Sequence, residues 1–213
     1  MFIYEYMTSD PITVPSSTLL PEARQILNEY GIRHLPVIDS RSRLIGMVTD
    51  RDLRSAYPSS VTSKSDAVLA FEQVGKTTVE EIMTTTCATL DPHSSIDDAL
   101  ILFDRYKIGG IPVVSEEDVV IGFFSLLDLT AAYRKLFGVA EEGSILIGVE
   151  DDGRDYILSE LTALLDRNNI PLTRLIRLAE KEDDARIFMR VTTQRPAEVY
   201  KLLKVKKFHV MEP

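Results

Sequence analysis

Residues 46–52 read Gly-Met-Val-Thr-Asp-Arg-Asp, and residues 122–128 read Gly-Phe-Phe-Ser-Leu-Leu-Asp. Each is a glycine, two apolar residues, a hydroxyl residue, two variable residues and an aspartate. The spacing between them is 76 residues, and it holds well beyond these seven positions. Met7-Thr8 falls on Met83-Thr84, Thr13 on Thr89, Ala23 on Ala99, Tyr30 on Tyr106 and Ile32 on Ile108. Pro36-Val37 falls on Pro112-Val113, Ile45-Gly46 on Ile121-Gly122, and Asp52-Leu53 on Asp128-Leu129. From residue 7 to residue 53 the register needs no gap, and 12 of 47 positions are identical. Chance at average composition gives roughly 6%, so the first two thirds of the chain are a duplication.

Each copy has the same order of elements. A short extended stretch (Thr13-Val14; Thr89-Leu90) precedes a helix. In copy one Pro21 stands near the helix start, where its missing N–H matters little. Ala23, Ile26, Leu27 and Tyr30 follow at helical spacing. In copy two Ser94 or Ser95 caps, and Ala99, Leu100, Phe103 and Tyr106 make the apolar face. Strands at 35–38 and 111–114, polar turns, second strands at 44–49 and 119–125, and a closing helix complete a β-α-β-β-α unit. About 50 residues are marginal alone, so two copies sharing a core are expected. Pro58–Asp66 is Ser/Thr-rich and reads as a loop, and Val68–Val74 as a short helix.

The ending of each copy has two readings. Thr49-x-x-Asp52 and Ser125-x-x-Asp128 are capping boxes. The same geometry also makes an anion site, because a helix N-terminus presents free N–H groups and partial positive charge. The hydroxyl can then meet a phosphate, and the aspartate, an acceptor-only group, suits two ribose hydroxyls.

This repeat, with its Met-Thr openings, Ile-Pro-Val strand and paired endings, resembles a tandem pair of CBS domains over about residues 1–137. The resemblance implies an adenosine-nucleotide site in the cleft between the copies, a role in energy or metabolite sensing, and a homodimer. Asp52 and Asp128 would hold ribose, and Thr49 and Ser125 would meet phosphate. Thr13 and Thr89, with His34, Leu35 and Pro36 and with Gly110, Ile111 and Pro112, would line the base. The copies differ here. Copy one carries Arg51 beside the phosphate position and Arg33-His34 before its Leu-Pro; copy two carries Leu126-Leu127 and Gly109-Gly110. Arginine supplies charge for an anion and the glycines supply room, so site one is expected to take the more highly charged group, with Asp50 opposing. Arg51 as a solvated residue and His34 as a packing residue stay open. His93 and His209 read as structural or exposed. The three histidines have no ligand spacing, so no metal is assigned, and no cofactor is required beyond a regulatory nucleotide.

The last seventy residues read as strand 144–150, a turn at Asp151-Asp152-Gly153, helix 156–168, strand 172–179, an acidic turn at 181–184, alternating strand 186–192, helix 197–203 and a closing strand at 208–211. That is the β-α-β-β-α-β order of a ferredoxin-like unit. It resembles an ACT domain, a dimerising or effector-binding module, whose ligand turn would be Asp151, Asp152 and Gly153. A CBS pair followed by an ACT domain resembles the acetoin-utilisation family of bacteria. The expected fold class is thus α+β, with repeat one at 1–57, a linker at 58–77, repeat two at 78–137, a linker at 138–143 and the ACT-like unit at 144–213.

Composition agrees with a regulatory globular protein. The chain has 213 residues, 45% hydrophobic and 27% charged, with net charge −9. All of that charge lies in residues 1–143, with 12 basic and 21 acidic side chains; residues 144–213 carry 12 of each. An acidic chain disfavours nucleic acid as partner. Its longest apolar run, 119–127, is far shorter than the about 20 residues of a membrane span. The start carries no basic or apolar leader pattern, and Cys87 stands alone, so a cytoplasmic location is expected. A nucleophile–base pair, a metal cluster and a Gly-Lys-Thr phosphate loop are all missing from the sequence, so it reads as a non-enzyme. The alternatives are a structural dimerisation scaffold with a vestigial cleft, or an enzyme whose groups meet only in space.

Overall fold

The structure is a computed structural model that describes residues 1–58, 68, 71–178 and 185–211. The serine-rich loop is described only at its first residue, Pro58, and the acidic turn at 181–184 lies outside the described residues. Of the short helix expected at 68–74, residues 71–74 are described as helical. The chain forms two compact units, Met1–Ala132 and Tyr133–Pro213.

In the first unit the elements are β1 (Thr8–Ser9), β2 (Val14–Pro15), α1 (Leu20–Tyr30), β3 (His34–Ile38), β4 (Leu44–Thr49) and α2 (Asp50–Ala56). Copy two supplies α3 (Ile96–Tyr106), β5 (Gly110–Val114), β6 (Val120–Ser125) and α4 (Leu126–Phe137). β2 pairs in parallel with β3, and β3 antiparallel with β4. In copy two Leu90 bridges Val113 in parallel, and β5 pairs antiparallel with β6. Even the irregularities repeat: the β3–β4 register shifts between Val37 and Ile38, and the β5–β6 register between Val113 and Val114. Those positions are again 76 apart.

The helices bury what their spacing predicts, with one correction. α1 buries Leu20, Ala23 and Leu27, and α3 buries Ile96, Ala99 and Phe103. Tyr30 and Tyr106, expected on the apolar faces, are 59% and 54% exposed, and Leu100 is exposed too. Each tyrosine is the last residue of its helix.

The opening segments do not pair within their own copies. β1 of copy one adds to β6 of copy two, with Thr8 opposite Phe123 and Ser9 opposite Gly122. Thr84 of copy two bridges Met47 of copy one, with hydrogen bonds of 2.9 Å in both directions. Ile3 donates to the Ser94 carbonyl, and Val79 to the Thr18 carbonyl, at 2.9 and 2.8 Å. The exchange explains two conserved-in-register glycines. A Cβ on Gly122 would sit 2.6 Å from the Met7 sulfur, and one on Gly46 would sit 2.5 Å from the Met83 sulfur. Arg43 and Val119, equivalent in the two copies, bridge each other, and Leu44 and Val120 donate reciprocally to Asp118 and Ser42 at 2.9 and 3.2 Å. These reciprocal bonds mark a local twofold relation between the copies.

The second unit contains β7 (Ser144–Glu150), α5 (Ile157–Arg167), β8 (Leu172–Leu178), β9 (Arg186–Thr192) and α6 (Pro196–Val205). Its sheet order is β7-β9-β8, all antiparallel. The segment at 208–211 lies along β7 through a Val149–Val210 bridge and bonds from Glu150 to His209 and from Met211 to Gly148, each 2.9 Å. Helices α5 and α6 pack Ile157, Leu161, Leu165, Val199 and Leu203 on Ile147, Val149, Ile187, Met189 and Val191 of the sheet. Leu172 and Leu175 both join this core, although three residues apart on β8. A register shift between Leu172 and Arg174 turns the strand and makes this possible. Arg174 also holds the carbonyls of Lys135 and Leu136, at 3.0 and 3.1 Å, and the Glu141 carboxylate at 2.6 and 2.7 Å. The end of α4 is therefore tied into the second unit, and the division falls five residues before the expected end of repeat two.

Candidate functional site

Each second strand ends where a helix begins, and the two corners are built alike. Thr49 donates to Asp52 Oδ2 from its backbone N–H at 2.8 Å and from its hydroxyl at 2.7 Å, and accepts from the Asp52 N–H at 3.3 Å. Ser125 and Asp128 repeat this at 2.7, 2.7 and 3.3 Å. The capping box is thus present in both corners. The hydroxyl proton is directed at the carboxylate, while the second carboxylate oxygen, Oδ1, carries none of these bonds. Both aspartates are half-buried. A box of the same geometry, Ser95–Asp98, opens α3, but there the aspartate is exposed. The cap is a general device of this chain; the half-buried carboxylate with a spare oxygen belongs to the two equivalent corners.

The strands opposite complete the corners. His34 pairs with Thr49, and Gly110 with Ser125. The Arg33 carbonyl accepts from the Asp50 N–H at 3.0 Å, and the Gly109 carbonyl from the Leu126 N–H at 3.1 Å. These ties fix each helix tip against the start of its neighbouring strand.

The corners differ in what fills them. The His34 ring of copy one lies on copy two, its centroid 5.5 Å from that of Phe123. A Cβ on Gly110 would stand 2.5 Å from the Phe123 ring and 3.2 Å from His34 Nδ1, and one on Gly109 would stand 3.3 Å from His34. The room left by the two glycines is occupied by these two rings. Burial and then the Arg33 guanidinium push the His34 pKa below its ordinary range, while Asp52 pulls it back up.

Other residues expected at the site fall into three groups. Leu35 and Ile111 have no exposed surface, and Pro36 and Pro112 are buried. Their side chains belong to the core, which leaves their backbone as the part that could face a base; the Pro112 carbonyl accepts from the Leu90 N–H at 3.0 Å. Thr13 and Thr89 precede the first paired residue of each copy, half-buried and exposed. Arg33 and Arg51 are exposed. Asp50, expected to repel an anion, is paired with Arg54 one turn along, which offsets its charge. Sequence reasoning missed Phe123 and the sulfur contacts of Met7 and Met83. The signal for the methionines was available: Met and Gly recur identically in both copies.

In the second unit, Asp151 is committed within the chain. Its side chain is fully buried, and it accepts from Arg177 Nε at 2.5 Å and from the Gly153 N–H at 3.2 Å. Asp152 pairs with Arg154, whose hydrogen bonds hold the carboxyl below its usual range. Among the described residues no group of three or more His, Cys, Asp or Glu could hold a metal ion. No described helix is long and apolar enough to cross a membrane.

An α+β pair of β-α-β-β-α repeats with exchanged openings and two equivalent helix-tip corners is the class this geometry defines. The CBS domain family model matches residues 3–59 and 79–135, and the chain belongs to that family. Inosine-5'-monophosphate dehydrogenase of Korarchaeum cryptofilum is 34% identical over 146 residues, which are 67% of this chain and 27% of that protein. The chain spans 23–30% of the length of this dehydrogenase, that of Aquifex aeolicus and the L-aspartate semialdehyde sulfurtransferase of Methanocaldococcus jannaschii, and 88% of a CBS domain-containing protein of Dictyostelium discoideum. Among solved structures, the CBS domain pair of protein MJ0100 in complex with 5'-methylthioadenosine and S-adenosyl-L-methionine is 29% identical, with a TM-score of 0.52, covering 62% of this chain and 99% of that one. A putative acetoin utilization protein (AcuB) from Vibrio cholerae is 27% identical, with a TM-score of 0.53, covering 65% and 94%.

Proposed function

We propose that this chain is a regulatory protein that senses an adenosyl ligand, with AMP, ADP, ATP or S-adenosylmethionine as candidates, at the two corners of its CBS pair. The observation that carries the reading is the duplicated half-buried carboxylate, Asp52 and Asp128, each with one oxygen left by its cap and placed at a helix N-terminus. A carboxylate oxygen takes ribose hydroxyls, and the partial positive charge of the helix start favours phosphate, although the N–H groups of Asp50, Asp52, Leu126 and Asp128 are already bonded within the chain. The adenosyl compounds bound to the similar MJ0100 pair support the same class of ligand. Regulation follows if the ligand favours one conformation of the pair or of a dimer through its differential affinity. Leu127 on α4, 81% exposed, offers apolar surface to a second copy.

The second unit supports the ACT-like reading by its antiparallel order, with 208–211 beside β7. In that reading it adds a dimer contact or a second effector input, and the likeness to the Vibrio cholerae protein supports acetoin or energy metabolism as the setting. No catalytic step is assigned, and the protein is read as acting in the cytoplasm without nucleic acid or membrane.

A scaffold with a vestigial cleft is the second reading. Its support is the filled corner, where His34 and Phe123 occupy the space at Gly110. Isothermal titration of the full chain with the four nucleotides separates the two. Binding with loss in Asp52→Ala and Asp128→Ala supports the sensor; no heat with any of them supports the scaffold.

A further inference from the structure

We propose that His34 is shared by the two adenosyl corners and makes them fill one at a time. The inference rests on the adenosyl reading and deepens it.

His34 and Gly110 are equivalent positions of the two copies, and they touch across the local twofold relation. Each begins the strand that faces a helix-tip hydroxyl, His34 opposite Thr49 and Gly110 opposite Ser125. The single imidazole therefore lies beside Thr49 and Asp52 of one corner by chain position, and on the Gly109–Gly110 backbone and Phe123 of the other by packing. Copy two has glycine at the equivalent position, and its own Phe123 shares the space there with the imidazole.

A neutral imidazole has one N–H donor and one acceptor. Two ligand bases arriving from the two corners compete for that one ring. A ligand entering the copy-two corner must also displace the ring, since the ring takes up the space that a Cβ on Gly109 or Gly110 would need. Displacement toward Thr49, its partner across the strands, and Asp52 would take the space a first-corner ligand needs. Occupancy of one corner thus opposes occupancy of the other, and His34 sets which corner wins. Had copy one carried glycine here, as copy two does, each corner would be independent.

Isothermal titration with AMP on the full chain tests this. The wild type is expected to bind one AMP per chain, with a second at least tenfold weaker. His34→Gly is expected to bind two AMP per chain with affinities within about threefold of each other. His34→Gln, which keeps a donor and an acceptor, is expected to retain the wild-type pattern. Equal filling of two sites by the wild type, or wild-type behaviour in His34→Gly, overturns the proposal. The His34 imidazole proton resonance gives a second readout that needs no variant. It is expected to move during the first equivalent of AMP, and a signal unmoved by bound AMP overturns the proposal. Absence of heat with AMP, ATP and S-adenosylmethionine in every chain instead overturns the adenosyl reading itself.

Discussion

Truncation of Asp52 to alanine removes two different things, and the structure supplies a control that separates them. One is the cap: Asp52 Oδ2 accepts from the Thr49 N–H and hydroxyl. Loss of such a cap destabilises by about 1 kcal/mol, which lowers the melting temperature by about 3 °C in a chain of this size. The other is the proposed ribose contact. Charge-assisted hydrogen bonds contribute about 1.5–3 kcal/mol, so affinity for AMP should fall roughly 10- to 150-fold. Asp98→Ala removes a cap of the same geometry, built on Ser95 with matching 2.7 and 2.8 Å bonds, from a helix start whose aspartate is exposed and which meets residues 1–3 rather than the end of a second strand. It should lower the melting temperature in the same direction and leave AMP affinity within about threefold of wild type. Calorimetric titration and thermal melts of wild type, Asp52→Ala, Asp128→Ala and Asp98→Ala provide the comparison. Equal affinity losses in Asp98→Ala and Asp52→Ala, or no loss in Asp52→Ala and Asp128→Ala, refute the reasoning, since the carboxylates would then be caps alone.

The equivalent residues Gly31 and Lys107 both end their helices in the left-handed region, at φ 65° and 53°. A non-glycine residue there is strained by about 1–2 kcal/mol; allowing for the greater freedom of glycine in the unfolded chain, Lys107→Gly should raise the melting temperature by about 2 °C, and a fall would contradict the assignment. Arg177 neutralises the buried Asp151 carboxylate. Arg177→Leu leaves that charge unpaired and should destabilise the second unit by about 2 kcal/mol after discounting for the half-exposed arginine, read as a lower urea midpoint; an unchanged midpoint refutes it. His34 has its pKa lowered from 6.5, chiefly by burial. The unfolded chain therefore takes up this proton first, and the stability His34 contributes is full above about pH 6.5 and lost as pH falls through the lower folded value. A proton-NMR titration midpoint for His34 at or above 6.5 would contradict this. Burial also raises the Cys87 thiol, whose Sγ–H donates to the Thr84 carbonyl at 3.1 Å; its alkylation rate should keep climbing past pH 9, and a plateau near pH 8 would count against it.

Local chemistry was legible in the sequence wherever one or two turns of chain decide it. Thr49 and Asp52 are three residues apart, and that spacing alone places hydroxyl and carboxylate on each other's backbone. Pro21 marked the start of α1, and strict alternation marked β9. The failures came where a neighbour decides. Tyr30 and Tyr106 fit the helical spacing but, as the last residues of their helices, stay exposed. Leu172 and Leu175 share a face because β8 shifts register, which no period of two can show. Asp50 looked repulsive beside Arg51 until Arg54 was found on it.

From the residues alone came the 76-residue duplication, the order of elements and the paired helix-tip carboxylates, because identity at fixed offset and hydrophobic period are properties of the chain read in a line. Only the folded chain decided that Met7 packs on Gly122 and Met83 on Gly46, that the copies exchange their openings, and that the imidazole of His34 fills the space above Gly110. Those outcomes depend on which surfaces meet across seventy or more residues, and the energy of such a meeting is carried by neither partner's own sequence neighbourhood.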